Sequence, residues 1–407
     1  MYPTKKEESI KDLRGLQNFV DYDGPLKDAV EIARHYGFNL IEPVKFSRRL
    51  PSVLTENQKE RARKKDLSVF PPGRMAILKK YLDENMDKWP QPVLLSHISE
   101  GDTPGTQELR LDVLGTSKSL AEALVIKAGT AILNSWGHKN IVIHINSVGD
   151  RDSATSFERE LHDYYKKNIN SLAGCCRQQM KKAVIGVLEC ENEKCQLIKE
   201  GAPKSLNFLS ESGRRHLAEI VESLENMGMN YRINHNLVGH HYCYPKTVFH
   251  VKEEIESGEE TFLAKGERHD YLSKEIGVGK KVPLISLALK LKSDMRRKDK
   301  YSLVETFPHP KIYFAHIGYA ARLKSLSVME ILRELNLPVK YLVGIDSISR
   351  QLRQAEAEKA SHVIILGQKE VLEDSIIWRD LETRYQESVP ICKLGEYVKS
   401  LKKAHLI

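Results

Sequence analysis

The sequence predicts an α+β protein in two parts, a long domain of antiparallel strands with a helical insertion and a shorter C-terminal α/β domain. Its 407 residues exceed what one ordinary hydrophobic core accommodates. Strand patterns on both sides of residues 152–230 flank a stretch with helical patterns alone. Beyond about residue 305, short strands and helices alternate. We therefore expect domains at residues 1–305 and 310–407, with the insertion at about 152–230.

Composition places the chain among soluble globular proteins, with 41% hydrophobic and 29% charged residues. The first residues, M-Y-P-T-K-K-E-E-S, contain no apolar core of a secretory signal. No apolar run approaches the roughly 18 residues that span a bilayer. We expect a cytoplasmic protein without a membrane partner. The net charge of +8 permits binding to nucleic acid but does not require it, because a solvated basic surface gives the same balance.

The first domain begins with an amphipathic helix at residues 25–38, where apolar residues recur at helical spacing before a glycine. Alternating patterns then indicate strands, including I-V-I-H-I-N at 141–146. The charged run at 57–66 predicts an exposed helix or loop. The other elements predicted up to residue 146 are strands at 38–44 and 109–115 and a helix at 121–136.

Beyond the insertion, residues 231–238 and 246–251 are predicted to be extended, and we expect antiparallel pairing with 261–265. The basic stretch at 290–300 predicts the end of a helix that runs into a linker. The C-terminal domain is predicted to contain a largely parallel sheet. Its predicted elements are strands at 311–316, 339–343 and 362–366 and helices at 320–335 and 349–359.

Six cysteines occur in the chain, without the C-x2-C spacing typical of zinc sites. Cys175 and Cys176 are adjacent, and such a pair does not easily occupy one tetrahedron. Cys190 and Cys195 are separated by four residues. Between a zinc site and ordinary buried or surface thiols, the pattern favours the thiols. We therefore predict no metal.

Seven segments, in order, resemble those of the histidyl-tRNA synthetase family, which are class II aminoacyl-tRNA synthetases. Y-G-F-N-L-I-E-P looks like the family's first motif, which lies at a dimer interface, and L-R-L-D-V-L-G like the end of its second motif. The resemblance implies a class II synthetase-like antiparallel sheet domain, a C-terminal anticodon-binding-like domain and a homodimer. The seven segments are residues 36–43, 109–115, 145–150, 236–238, 246–249, 264–272 and 349–370.

The family joins histidine to ATP and passes the histidyl group to tRNA. By this resemblance, one group of residues occupies the pocket that would hold the substrates, and Arg268 and Asp270 match the family pattern. The pocket candidates are His240, His241, Tyr244, Thr247, His250, Arg268, His269 and Asp270.

The residues that bind ATP and histidine in the family are largely replaced here. Gly239 stands where the family has the arginine at the reacting phosphate, and His250 stands where it has a glutamate. The second-motif loop at 97–109 holds no arginine, and the segment around Arg74 lacks the family's carboxylate. Arginine suits phosphate because its planar fork keeps its charge. We therefore predict no aminoacylation and no cofactor, with ATP and Mg²⁺ expected only if the chain is an active ligase.

Each pocket residue also has a structural interpretation. His240 and His241 are adjacent, so on a strand they point to opposite faces and do not easily share one metal. One of them, with His250 or His269, could bind zinc or an anion, but a polar pocket wall is favoured. Tyr244 fits a pocket or a core equally well. Arg268 and Asp270 are expected to pair and brace a turn.

The C-terminal domain predicts binding to tRNA or another structured RNA. Phosphate-binding candidates on or beside its helices are Arg322, Lys324, Arg350 and Arg353. A solvated helix face is the competing interpretation of these four cations.

Three functions remain open. The favoured one is a histidyl-tRNA synthetase-like protein without activity that acts as an RNA-binding, regulatory or assembly factor, a role in which a protein partner is also considered. The second is a divergent active histidine–tRNA ligase. It would use substitute cations, for which the candidates are Arg74, Lys246, Lys265 and Lys290. The third is a regulatory subunit of a histidine-biosynthesis enzyme, ATP phosphoribosyltransferase, against which the C-terminal domain argues.

Overall fold

The structure is a computed structural model, and its central feature is a long mixed sheet followed by a second, smaller sheet. It describes residues 20–22, 24–44, 54, 71–101, 106–239, 245–291, 297–301, 312–337, 339–341 and 347–404. The predicted charged run at 57–66 lies outside these residues. No helix within the described ranges is both long and apolar enough to cross a bilayer.

The large sheet has the strand order β2-β3-β4-β9-β8-β7-β5-β6, and its strands pair antiparallel except at the two ends, where β2 runs parallel to β3 and β6 parallel to β5. A separate ribbon pairs β1 with β10. The strands of these two sheets are β1 (Val20–Tyr22), β2 (Asn39–Leu40), β3 (Val93–Glu100), β4 (Gln107–Leu114), β5 (Ile141–Asn146), β6 (Asn230–Ile233), β7 (Val248–Glu254), β8 (Glu260–His269), β9 (Leu284–Lys290) and β10 (Arg297–Tyr301).

The helices of this domain cover one face of the sheet and build the insertion. The helix α3 is buried on nearly all sides, because it is an apolar segment that packs between the sheet and two further helices. The helices are α1 (Pro25–His35), α2 (Pro72–Asp83), α3 (Leu120–Ser135), α4 (Arg151–Lys167), α5 (Gly174–Lys182), α6 (Glu193–Glu200), α7 (Glu211–Asn226) and α8 (Leu272–Glu275).

The two faces of the large sheet differ in chemistry because side chains alternate along each strand. On the helix-covered face, residues such as Leu111, Leu287 and Phe249 join the main core with α1, α3 and α7. The opposite side, which we call the second face, carries polar residues such as Arg110 and Ser286. At one end α2 packs on this second face.

The C-terminal sheet has the order β12-β11-β13-β14-β15. The first three strands are parallel, whereas β14 and β15 are antiparallel, so the sheet is mixed rather than largely parallel as predicted. Its elements are β11 (Ile312–His316), α9 (Tyr319–Glu334), β12 (Val339–Tyr341), α10 (Ile348–Ala357), β13 (His362–Leu366), α11 (Gln368–Leu372), β14 (Ser375–Asp380), β15 (Gln386–Pro390) and α12 (Leu394–Lys403).

The predicted architecture of a sheet domain, a helical insertion and an α/β domain is confirmed, with three local corrections. The stretch 290–300 is not the end of a helix, because Lys290 ends the buried strand β9 in the middle of the sheet and Arg297–Tyr301 forms the strand β10. Residues 230–233 pair parallel with β5 and not with β8. The strands β3, β14 and β15 were not predicted.

Candidate functional site

A buried cation and a buried carboxylate meet on the second face of the large sheet. Arg74 enters from the first turns of α2 and is only 1% exposed. Its Nη2 lies 3.5 Å from Oε2 of Glu267 on β8, and the same oxygen lies 2.9 Å from Nε2 of His269. Among the described residues, Nε and Nη2 of Arg74 have no hydrogen-bond partner. The charge of Arg74 is therefore paired, while its hydrogen-bonding capacity is only partly used.

The protonation states of this group follow from its surroundings. Burial opposes ionisation of Glu267, but the charge of Arg74 and the hydrogen bond from His269 outweigh it and hold the pKa of Glu267 well below its usual range. Burial lowers the pKa of His269. A neutral His269 donates its Nε2 proton to the carboxylate. Its Nδ1 is then an acceptor, and it has no hydrogen-bond partner among the described residues.

A second arginine, Arg110 on β4, lies on the same face and contacts the start of α2. A Cβ built on Gly73 would lie 2.6 Å from Cζ of Arg110, so the helix approaches this guanidinium as closely as glycine allows. Arg110 donates from Nη2 to Glu108 at 2.6 Å and from Nε to Ser99 at 2.7 Å. This cation is therefore matched by an adjacent carboxylate, as Arg74 is.

Arg110 was missed as a site residue because the prediction looked for arginine in the loop before β4. The strand pattern of β4 contained the missing signal. Leu109, Leu111 and Val113 alternate with polar positions, so Arg110 had to lie on the face opposite the core.

A different ionic network lies on the helix-covered face. Arg268 on β8 donates from Nη1 to Glu122 at 2.7 Å, from Nε to Asp270 at 2.9 Å, and from Nη2 to the carbonyl oxygen of Thr116. The predicted pairing of Arg268 with Asp270 is therefore present. Glu122, on α3, also accepts a hydrogen bond at 2.6 Å from Nε2 of His216.

Every charge in this second network is compensated. Burial opposes ionisation of Glu122, but Arg268 and His216 hold its pKa below the usual range. Burial also opposes ionisation of Asp270, and the charges of Arg268, Lys281 and Lys246 lower its pKa in turn. A saturated network of this kind is typical of a structural brace.

A polar cavity of about 140 Å³ adjoins Asp270 where the insertion meets the sheet. Nζ of Lys281 lies 3.2 Å from Oδ2 of Asp270, and burial lowers the pKa of Lys246. The cavity is smaller than the usual 300–1,000 Å³ of ligand pockets. Its lining consists of Gly149, Asp150, Ser212, Gly213, Lys246, Asp270, Tyr271 and Lys281.

Gly239 occupies a position that a larger residue does not fit. Its φ of +67° lies in the left-handed region that favours glycine. A Cβ at this position would lie 2.8 Å from Cγ of Pro245 and 3.2 Å from both Cδ of Glu267 and Cγ2 of Val248. An arginine side chain at position 239 therefore requires the surrounding backbone to move.

The remaining predicted pocket residues do not form one group. Thr247 is fully buried on the helix-covered face and donates to Glu122 at 3.3 Å. His250 is half-buried on the second face, opposite Lys265 on β8, with its ring 5.1 Å from that of Phe262. Burial lowers the pKa of His250 to about 4, so the imidazole is neutral at pH 7. His240, His241 and Tyr244 lie outside the described residues.

The four predicted RNA-binding cations lie on two faces of the C-terminal sheet. Arg322 and Lys324 are on α9, which packs with Phe314 in the main core, whereas α10 packs with the neighbouring residue Tyr313 on the other side. Lys324 pairs with Asp374 at 2.6 Å, and Arg322 lies over the ring of Tyr319 at 5.0 Å. These two side chains are already engaged within the chain.

Arg350 and Arg353 are exposed on α10, one turn apart. The Nε of Arg353 donates to the carbonyl oxygen of Ser349 at 3.2 Å, an interaction that leaves the rest of the guanidinium at the surface. These two residues are therefore the more accessible half of the predicted set.

Comparisons with known proteins agree with this architecture. Residues 312–401 match the family described as Anticodon binding domain. A protein of Dehalococcoides mccartyi named histidine–tRNA ligase is 26% identical over 338 residues, covering 81% of this chain and 80% of its own. The chain is similar to this histidine–tRNA ligase over about four fifths of its length.

Other similar proteins carry the same name, histidine–tRNA ligase. A histidine–tRNA ligase of Desulfitobacterium hafniense is 27% identical over 349 residues and covers 82% of this chain and 81% of its own. The solved structure of apo histidyl-tRNA synthetase from S. aureus aligns over 98% of this chain and 99% of its own, with a TM-score of 0.48 and 18% identity. The chain is therefore similar to histidine–tRNA ligases over most of its length, and its C-terminal part is similar to anticodon-binding domains.

Proposed function

We propose that this chain is a non-catalytic relative of the histidine–tRNA ligases that binds tRNA, or an RNA of similar fold, through its C-terminal domain. The match of residues 312–401 to an anticodon-binding family supports the RNA partner. The relatives that cover most of the chain are named for a reaction with tRNA.

The observation that carries the loss of catalysis is the environment of Gly239. By resemblance to the family, an arginine stands here at the reacting phosphate. In this chain the position combines a φ of +67° with Pro245, Glu267 and Val248 at contact distance from any Cβ. This environment supports the proposal of a site rebuilt around glycine, with a negative side chain, Glu267, beside it.

The charge balance of the second face supports the same proposal. Each buried arginine there lies next to a carboxylate, Arg74 with Glu267 and Arg110 with Glu108. Stabilising the charge that develops on a transferring phosphoryl group requires unmatched, preorganised cations. Paired cations offer little net positive potential to a triphosphate.

The proposed absence of catalysis is tested by ATP–pyrophosphate exchange with histidine and Mg²⁺, measured on the full chain. We expect no exchange above the rate without protein. Exchange that depends on histidine and disappears in Arg74→Ala would reject the proposal of inactivity.

The proposed binding to RNA is tested with a labelled tRNA transcript and the full chain at several salt concentrations. We expect Arg350→Ala/Arg353→Ala to weaken binding and to reduce the slope of log K against log salt by about 1 for each phosphate that is no longer neutralised. Arg159→Ala, which removes a 74% exposed arginine from the insertion, is the matched control and should leave binding unchanged. Equal binding by wild type and the double variant would reject this surface, and no binding by wild type would reject RNA as the partner.

One observation favours the alternative of a divergent active ligase. Arg74 is buried with two nitrogen atoms that have no hydrogen-bond partner in the described part of the chain, so it retains capacity for an anionic ligand. Two other candidate cations differ in their placement: Lys265 lies on the second face, and Lys290 is exposed at the end of β9. ATP and Mg²⁺ would then be substrates. Charging of a tRNA transcript with histidine, abolished in Arg74→Ala, would establish this function.

The first-motif segment supports a further proposal, that the chain forms a homodimer. The segment includes β2, which is the end strand of the large sheet and is only two residues long. End strands leave backbone groups unpaired on one side. Sedimentation equilibrium of the full chain tests this proposal, and a monomer at micromolar concentration would reject it.

A further inference from the structure

Three cysteines of the helical insertion, Cys175, Cys176 and Cys190, come together, and a fourth, Cys195, contacts Cys176, although the four are spread over 21 residues of sequence. Cys175 and Cys176 lie in the first turn of α5, Cys190 follows a 3₁₀ turn at Val184–Glu189, and Cys195 lies in α6. The sulfur atoms of Cys175, Cys176 and Cys190 all lie within 4.8 Å of one another. The sequence-based expectation that the adjacent pair would not share a site is therefore corrected, since the first turn of α5 brings both sulfurs to one point.

Two of the separations between these sulfurs are close to the edge of a small tetrahedron, whereas Cys195 lies outside the group of three sulfurs that are all within 4.8 Å of one another. Sγ of Cys175 lies 4.0 Å from Sγ of Cys190, and Sγ of Cys195 lies 3.3 Å from Sγ of Cys176. A zinc ion with four thiolates at about 2.3 Å places its sulfurs about 3.8 Å apart. The observed separations lie on both sides of that value. They suit a single ion, whereas a disulfide needs sulfurs about 2.05 Å apart.

The surroundings of the cluster are typical of a metal site whose ligands are all cysteine thiolates. The backbone N–H of Ala173 points at Sγ of Cys195 at 3.4 Å, and such N–H donors stabilise negative sulfur. Cys176 and Cys195 are buried in the core of the insertion, whereas Cys175 is exposed and Cys190 partly so. The cluster thus lies at the margin of the core, where an ion can enter.

A buried lysine gives independent support. Lys199, on α6, is only 7% exposed and donates from Nζ to the carbonyl oxygens of Leu188 and Cys190. Within the described ranges it has no salt bridge to a carboxylate. A buried charge needs a counter-charge, and a zinc ion with four thiolates carries two negative charges close to this amine.

We propose that Cys175, Cys176, Cys190 and Cys195 bind one structural Zn²⁺ in the helical insertion. All four ligands come from the protein, so the site has no open position for substrate and is structural rather than catalytic. The ion ties α5 to α6 and supports a core that is small for its length. The proposal is independent of the RNA-binding function, since the site lies in a separate part of the chain.

The experiment is metal analysis of the full chain, purified under reducing conditions without chelators and without a metal-affinity tag. We expect one zinc per chain in wild type and in Cys392→Ser, which changes an exposed cysteine of the C-terminal domain. We expect less than a tenth of that content in Cys176→Ser and in Cys190→Ser. Replacement of zinc by Co²⁺ in wild type should give the intense sulfur-to-cobalt charge-transfer absorption and the visible bands of a tetrahedral thiolate site.

The cobalt spectrum keeps the proposal testable if the cysteine variants do not fold. Wild-type protein without metal, with four insertion thiols that alkylate freely in the folded state, would overturn it. A disulfide between Cys176 and Cys195 in the freshly purified reduced protein, or iron in place of zinc, would overturn it as well. Zinc retained in full by both Cys176→Ser and Cys190→Ser would show that the metal lies elsewhere.

Discussion

Two of the buried arginines on the faces of the large sheet, Arg268 and Arg74, illustrate how one residue type serves two purposes. Arg268, on the helix-covered face, is fully buried and directs hydrogen bonds to two carboxylates and a backbone carbonyl. Arg74, from α2, is equally buried on the second face, but its closest carboxylate lies 3.5 Å away. Two of its nitrogen atoms lack a hydrogen-bond partner among the described residues.

This difference in hydrogen bonding distinguishes an arginine that stabilises the fold, Arg268, from one that can still bind a ligand, Arg74. A saturated buried network contributes to a unique fold, and the loss of one member leaves charges without partners. An unsaturated buried cation stabilises the fold less and retains donors for another molecule. The helix-covered face therefore has the character of a structural frame, whereas the second face retains hydrogen-bond donors for another molecule.

The largest effect is expected from Arg268→Met. The substitution leaves the carboxylates of Glu122 and Asp270 buried without their cation, and we expect a loss of about 3–5 kcal/mol in the free energy of unfolding. Denaturant titration followed by circular dichroism measures it. The matched control Arg268→Lys should recover only part of the loss, because one amine cannot replace a fork with three partners. A loss below about 1 kcal/mol would show that the network is not a brace.

A pH dependence on the second face is expected from His250. Burial lowers its pKa to about 4, below the ordinary value of 6.5. Between these values the unfolded chain binds a proton that the folded chain does not, so stability present above pH 6.5 is lost as the pH falls toward 4.

The contribution of His250 over this window is on the order of 2 kcal/mol, allowing for the partial solvation of a half-buried ring. Stability curves of wild type and His250→Gln between pH 7 and pH 4 should diverge in slope, with the variant flatter. Parallel curves would mean that the folded chain protonates His250 in the same pH range as the unfolded chain.

Gly239 and Gly137 allow backbone strain to be separated from steric contact. Both have a positive φ, of 67° and 89°, but a Cβ at Gly137 would meet no atom within 4 Å, whereas at Gly239 it would meet Pro245 and Glu267. We expect Gly239→Ala to cost about 1–2 kcal/mol more in unfolding free energy than Gly137→Ala. Equal losses of unfolding free energy would show that the residues around Gly239 move to accommodate a Cβ. That result would argue against the proposal of a rebuilt site.

A loss smaller than that of Arg268→Met, below about 3 kcal/mol, is expected from Arg74→Met, because only Glu267 loses its cation and this carboxylate keeps the hydrogen bond from His269. The same denaturant titration measures it beside Arg268→Met. A cost equal to that of Arg268→Met would abolish the distinction between the two faces.

Some of the candidate site was predictable from sequence, and some was not. The pairing of Arg268 with Asp270 was expected, because residues two apart on a strand share a face. Glu122 was not, because its partner is 146 positions away in the chain. The predicted RNA-binding set divided between two faces because α9 and α10 pack on opposite sides of one sheet, a fact that helical spacing alone does not contain.

By itself, the sequence determined the succession of sheet domain, helical insertion and α/β domain and the similarity to histidine–tRNA ligases, because periodicity and local motifs are properties of neighbouring residues. It also led to the prediction that Gly239 stands where the family that the sequence resembles has an arginine. Tertiary structure alone decided which charges meet. Arg74 reaches Glu267 from a distant part of the chain, and three cysteines meet within the insertion, with Cys195 beside one of them. The physical reason is that burial, pairing and metal geometry depend on distances in space, which the fold sets only after the core has packed.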